Sequence, residues 1–139
     1  CLDLIRHYWG GMLDVGATTF WEGFELDWLT NSTHLDELPT SAKRDIHADF
    51  GNWCYKSLRH SLCHGWAAGP TAWLTEHVLG VTPASPGFKT VQVRPQLAGL
   101  KYAKGTVPTP QGVIRVSHQQ QADGSIKTDL QLPNGVKRA

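Results

Sequence analysis

The chain of 139 residues is short of several things, and each shortage removes a class of function. It has no apolar run near the roughly 20 residues that a membrane-spanning helix requires. Its charge is almost balanced, with 13 Lys and Arg against 12 Asp and Glu for a net of +1. The basic residues are scattered and form no stripe, so neither nucleic acid nor a membrane is expected as a partner. Its three cysteines, Cys1, Cys54 and Cys63, are odd in number and include no Cys-x-x-Cys pair, which argues against a zinc finger or a thioredoxin-like site. Cys54 and Cys63 lie among aromatic and aliphatic neighbours and are expected to be buried free thiols. The opening Cys1-Leu2-Asp3-Leu4-Ile5-Arg6 is too polar and too short for a signal peptide. No internal repeat, phosphate-binding glycine loop, Gly-x-Ser-x-Gly elbow or His-Glu-x-x-His helix occurs. Ser61 between His60 and His64 is adjacency in sequence, not the geometry that a catalytic triad needs.

What the chain has in excess is tryptophan. There are six, Trp9, Trp21, Trp28, Trp53, Trp66 and Trp73, and they alternate with Glu, Asp and His. Such rings either build a core or line a carbohydrate cleft, and composition does not choose between the two. The densest setting is Gly16-Ala17-Thr18-Thr19-Phe20-Trp21-Glu22-Gly23-Phe24-Glu25, which sets Glu22 among three aromatic rings. Carboxylates held among rings lose hydration and tend to exchange protons nearer neutrality, so Glu22 is the candidate for acid–base chemistry. A structural reading competes with it. Thr19-x-x-Glu22 also fits a capping box, in which both side chains satisfy the free amides of a helix start.

Taken in order, Leu2, Ile5, Trp9, Met12 and Leu13 have helical spacing, with Gly10-Gly11 loosening the helix near its end. No cap precedes Leu2, so the chain reads as beginning inside a helix, as a piece of something longer would. Phe24 to Leu29 predicts a short helix, residues 30–49 a long polar connection, and residues 50–62 a second helix carrying Trp53, Cys54 and Leu58. Asp45, His47 and Asp49 alternate within the connection, a spacing that permits a metal site but more often marks solvated loop carboxylates, and no metal or other cofactor is expected. Small residues surround His64 in Leu62-Cys63-His64-Gly65-Trp66-Ala67-Ala68-Gly69. His64 is either a buried histidine donating to a carbonyl or a contact to a substrate hydroxyl.

Pro70 opens a helix through Leu74 and Val78, and Gly80 stands where its C-cap belongs. Period-two alternation then marks strands over 88–94, 113–118 and 126–132, with Asp123-Gly124 as a hairpin turn. Gly105 to Gly112, with Pro108 and Pro110, reads as a tight irregular link, and residues 133–139 as a turn into a strand that is missing. The fold class is α+β, helical before about residue 80 and antiparallel β after it.

Three stretches, in this order, carry a resemblance. Gly16-Ala-Thr-Thr-Phe-Trp-Glu22, Ser61-Leu-Cys-His-Gly-Trp-Ala-Ala-Gly-Pro70, and Val78-Leu-Gly-Val-Thr-Pro83 through Phe88 and Gly105–Gly112 resemble the C-terminal part of bacterial α-L-rhamnosidases of glycoside hydrolase family 78. The resemblance implies that residues 1–80 are the last helices of a catalytic (α/α)6 barrel and residues 81–139 an antiparallel β-sandwich domain, neither complete. It implies hydrolysis of terminal α-L-rhamnosyl groups with inversion, with Glu22 as general base, His64 contacting the sugar and Trp21 walling its subsite. The general acid lies upstream in the family and nothing here matches it; Asp14, Glu25 and Asp27 are too near Glu22 in sequence to be promoted. The implied partners are a rhamnose-containing glycoside and the remainder of a larger enzyme, without which this chain is expected to be inactive. Three other readings remain open: an (α/α)6 glycosidase of another sugar, a non-catalytic carbohydrate-binding module, and a structural piece whose exposed helical face would drive self-association.

Overall fold

The computed structural model describes residues 1–38, 40–44, 46 and 61–139. They form two compact units, Cys1–Gly69 and Pro70–Ala139, and the fold is α+β.

The first unit begins with the expected helix. α1 is α-helical over Leu2–Ile5, widens to π geometry over Arg6–Gly10 and returns to α over Gly11–Asp14. Gly10 and Gly11 do not end it, since both keep right-handed helical angles. The helix stops in a Schellman motif: the Gly16 N–H donates to Leu13 O (3.0 Å) and the Ala17 N–H to Met12 O (2.9 Å). Gly16 at φ +97° supplies the left-handed residue this motif needs. Met12 and Val15 then join Ala17, Trp21, Trp28 and Ile46 in one buried cluster, with Trp9 and Phe24 packed against it. Phe24 meets the Trp28 ring edge-on, at 5.7 Å between centroids and 85° between planes.

Three expectations in this unit are corrected. The helix read over Phe24 to Leu29 is instead a single turn, α2, at Trp28–Asn31. The polar connection after it is not wholly irregular, because Arg44 bridges back to Ser32 and its side chain pairs with Asp27 at 3.2 Å. Cys63 is exposed rather than buried, as is Cys1. Of the helix read over 50–62, residues 50–60, with Trp53 and Cys54, lie outside the described residues, as do Asp45, His47 and Asp49, while residues 61 and 62 are not helical.

α3, Gly69–Trp73, belongs to the second unit from Pro70 onward and continues with π geometry over Leu74–Val78. Six strands follow: β1 (Val81–Pro83), β2 (Thr90–Val93), β3 (Tyr102–Thr109), β4 (Gly112–Gln120), β5 (Ile126–Gln131) and β6 (Lys137–Arg138). They form two sheets of order β1-β2-β6 and β3-β4-β5. Valines of the first sheet (Val81, Val91, Val93) and Val107, Ile114 and Val116 of the second fill one core with Leu79 and Val136. Full burial of each such side chain contributes about 1.5–3 kcal/mol.

Here too the structure differs from the sequence reading. The link expected at Gly105–Gly112 is most of β3 and its hairpin, with Thr109 opposite Gly112 across Pro110-Gln111. β3 is an edge strand, and Pro108 falls at the pair next to the hairpin-closing one, where its nitrogen faces away from β4, so it removes no ladder bond. The strand thought missing at the C-terminus is present as β6, and it pairs parallel with β2, so the unit is not purely antiparallel.

His118 is fully buried on β4; its Nε2 lies 3.0 Å from Leu79 O and its Nδ1 2.8 Å from Thr128 Oγ1. Both contacts are satisfied by a neutral ring that donates from Nε2 and accepts from the Thr128 hydroxyl. Loss of hydration holds its pKa below the ordinary 6.5; the Leu79 carbonyl opposes that shift and the Arg138 charge adds to it. The unfolded chain therefore takes up a proton that the native protein refuses. The stability gained is present above about pH 6.5 and is lost as pH falls through that value towards the native pKa. The urea midpoint is expected to drop between about pH 7.5 and 5 in the native sequence and to drop less in His118→Leu. An equal slope in the two proteins would remove His118 as the cause. Asp36, lowered by its hydrogen bond to His34, and Asp123, lowered by Ser125, act in a separate window at more acid pH.

Candidate active site

Residues 17–27 form no helix, so Thr19 and Glu22 cap nothing. The hydrogen bonds expected of a capping box go to a distant segment instead. The Thr19 hydroxyl donates to Leu62 O, the His64 N–H donates to Phe20 O (2.7 Å), and the Glu22 N–H donates to Ser61 O (2.8 Å). The Ser61 N–H returns a bond to Glu22 Oε2 (3.2 Å). Residues 19–22 and 61–64 are thus laced together, with Glu22 and Ser61 exchanging bonds in both directions. This fixes the carboxylate at one oxygen, and among the described residues no donor meets Oε1.

Glu22 lines a cavity of about 510 Å³ together with Tyr8, Trp9, Trp21, Phe24 and Trp66. The volume lies within the range of small-ligand sites, about 300–1,000 Å³. Its walls are mainly aromatic, a surface suited to the apolar faces of sugar rings. Trp9 is held in place by its Nε1–H, which donates to Ala67 O at 2.8 Å. Trp21 is fully buried, packed on Phe24 at 6.2 Å, so it is a fixed part of the wall. Trp66 is the opposite case, 81% exposed, and its ring lies tilted at 58° to that of His64, 4.8 Å between centroids.

Of the three site residues expected from sequence, Trp21 and Glu22 share the cavity. His64 is half-buried and is tied to the same lacing through its backbone, but it is not in the lining. Sequence reasoning did not single out Trp66, Tyr8 or Trp9. Trp66 lay inside the quoted Ser61–Pro70 motif, but only the pairing of 61–64 with 19–22 reveals that it meets Glu22's cavity. The tryptophans accordingly divide, with Trp21 and Trp28 in the core and Trp66 at the surface.

Among the described residues no group of three or more His, Cys, Asp or Glu side chains is arranged to hold a metal ion, and no helix is long and apolar enough to cross a membrane. A second carboxylate for catalysis is not supplied beside Glu22 by Asp27, which is engaged with Arg44.

Comparison with known proteins bears on this geometry. Residues 80–139 match the bacterial alpha-L-rhamnosidase C-terminal domain. An alpha-L-rhamnosidase of Alteromonas sp. (strain LOR) is 36% identical over 118 residues, covering 84% of this chain and 10% of that protein. The structure resembles a family 78 rhamnosidase of Bacillus sp. GL1 with TM-score 0.58 and 27% identity, over 99% of this chain and 13% of that one. It also resembles Streptomyces avermitilis alpha-L-rhamnosidase, solved with L-rhamnose, with TM-score 0.58 and 22% identity, over 94% and 11% of the two chains. The last likeness is one of fold. The chain spans about a tenth of the length of the relatives it matches.

Proposed function

We propose that this chain, whose residues 80–139 match the bacterial alpha-L-rhamnosidase C-terminal domain and which is 36% identical to an alpha-L-rhamnosidase, belongs with the bacterial alpha-L-rhamnosidases as the C-terminal part of an inverting enzyme in which Glu22 is the general base. The observation that carries this reading is the state of the Glu22 carboxylate. One oxygen is held by the Ser61 amide, the other has no donor among the described residues, and Glu22 lines a cavity rich in aromatic rings.

In the reaction, Glu22 takes a proton from water as the water oxygen bonds to the anomeric carbon. The bond from that carbon to the aglycone oxygen breaks on the opposite face, and a general acid protonates the departing oxygen. Inversion needs the two carboxyl groups about 6.5–9.5 Å apart, leaving room for the water. The acid comes from the part of the enzyme outside this chain. Trp21 walls the sugar subsite and His64 contacts a sugar hydroxyl. Residues 1–80 supply closing helices of an (α/α)6 barrel, and residues 81–139 the β-sandwich domain that follows it. The substrate is a rhamnose-containing glycoside, and the 139-residue chain alone does not turn it over.

The test is hydrolysis of aryl α-L-rhamnoside by the longer enzyme, with the first-formed sugar anomer followed by NMR, beside a panel of other aryl glycosides. Release of β-L-rhamnose is expected, with no turnover by the isolated chain. Retention of configuration, preference for another sugar, or turnover by the chain alone would each overturn the corresponding part of the proposal.

A further inference from the structure

The strands β3, β4 and β5 each send one set of side chains into the core and the other set outward. The outward set forms two cross-strand rows: Lys104, Ser117 and Asp129 in one, and Thr106, Arg115 and Gln131 in the next. All six are exposed, and together they line a cleft of about 410 Å³. Cross-strand neighbours in such an array stand about 5 Å apart and diagonal ones about 7–8 Å. Arg115 is therefore a diagonal neighbour of both Lys104 and Asp129. Even so, among the described residues none of the three makes an ion pair or a side-chain hydrogen bond with another.

We propose that this cleft is a second saccharide site, distinct from the Glu22 cavity, that takes a sugar bearing a carboxylate. Two cations and one anion leave the cleft with a single net positive charge. That matches a monoanionic sugar acid better than a dianionic phosphate, which Asp129 repels about twice as strongly at equal distance. The planar guanidinium of Arg115 presents paired donors that fit a carboxylate, and Lys104 adds a point charge beside it. Ser117, Thr106 and Gln131 offer donors and acceptors to ring hydroxyls, and Asp129 accepts from hydroxyls on the side away from Lys104. Tyr102 is 61% exposed on the same face, opposite Gln119, as a ring against which a longer saccharide can lie. A rigid three-stranded sheet holds these groups at fixed spacing, which a loop would not. The inference does not depend on the role of Glu22.

Titration of methyl α-D-galacturonoside, which carries one carboxylate, into the protein, followed by amide NMR shifts, tests it. Saturable shifts centred on residues 104–106, 115–117 and 129–131 are expected, with a dissociation constant at or below about 1 mM. The methyl ester of the same sugar should bind about tenfold more weakly or worse, and so should the acid to Arg115→Ala. Asp129→Asn should bind the acid at least as well as the native sequence. Because these side chains are exposed, the variants should keep the native amide spectrum elsewhere. The proposal fails if no saturation occurs by about 10 mM, if acid and ester bind alike, or if Arg115→Ala leaves affinity unchanged. It also fails if inorganic phosphate competes as strongly as the sugar acid.

Discussion

Glu22→Gln in the longer enzyme is expected to lower kcat for an aryl α-L-rhamnoside by about 10²–10⁴-fold, the range for loss of a positioned general base. The substitution suits the question because of how Glu22 is held. A glutamine carbonyl can still accept from the Ser61 N–H, and its amide nitrogen occupies the place of Oε1, so the lacing of 19–22 to 61–64 survives. What disappears is the capacity to take a proton from water. KM for the rhamnoside should change little, because the aromatic walls that bind the ring are untouched. Glu22→Asp offers an independent check, since it keeps the base but withdraws it by one methylene; a displacement near 1 Å costs on the order of 10²-fold. Activity of Glu22→Gln within a few-fold of native would leave Glu22 as nothing more than a clasp on the Ser61 segment.

The residues that sequence made legible are those whose neighbours in sequence are also their physical partners. β4 and β5 alternate because one face meets the core and the other water, and that contrast is written into every second residue. α1 and the stop at Gly80 follow from local spacing in the same way. The capping box misled because its two side chains do what such residues do, satisfying backbone groups, but for a segment some forty positions away. β3 was hidden by Gly105, Pro108 and Pro110, which break strands in general. Here Pro108 is harmless on an edge, and Gly105 leaves the space that the Leu79 side chain occupies. His118 was readable but overlooked, since it shares parity with Ile114 and Val116 and so had to point inward. Of the candidate site, the motif located Glu22 and Trp21. The cavity that joins them to Trp9 and Trp66 exists only through long-range pairing, which periodicity does not encode.

Gly80→Ala is expected to be the most damaging small substitution in the second unit. Gly80 has φ +65°, where a residue with a Cβ is strained by about 1–3 kcal/mol. The larger problem is space. The Gly80 carbonyl accepts from the Arg94 N–H (2.9 Å) and the Val78 carbonyl from the Gln96 N–H (3.3 Å), so the end of the helical run lies directly on the chain leaving β2. A Cβ at residue 80 would overlap the Arg94 carbonyl and stand 2.6 Å from Pro95 N. Backbone cannot rotate aside as a side chain can, and forced overpacking costs about 1–3 kcal/mol more. The combined loss is a large share of the roughly 5–15 kcal/mol that holds a domain together, and should lower the melting temperature by about 10 °C or more. Gly124→Ala is the control that separates the two causes. It has φ +85° in the β4–β5 turn, but nothing lies within 4 Å of its added Cβ, so it carries the backbone strain without the overlap. Asparagine, which tolerates positive φ, should recover much of the loss at 124 and little of it at 80. Equal melting temperatures for the two alanine variants would mean that strain alone accounts for Gly80 and that the β2 exit does not press against it.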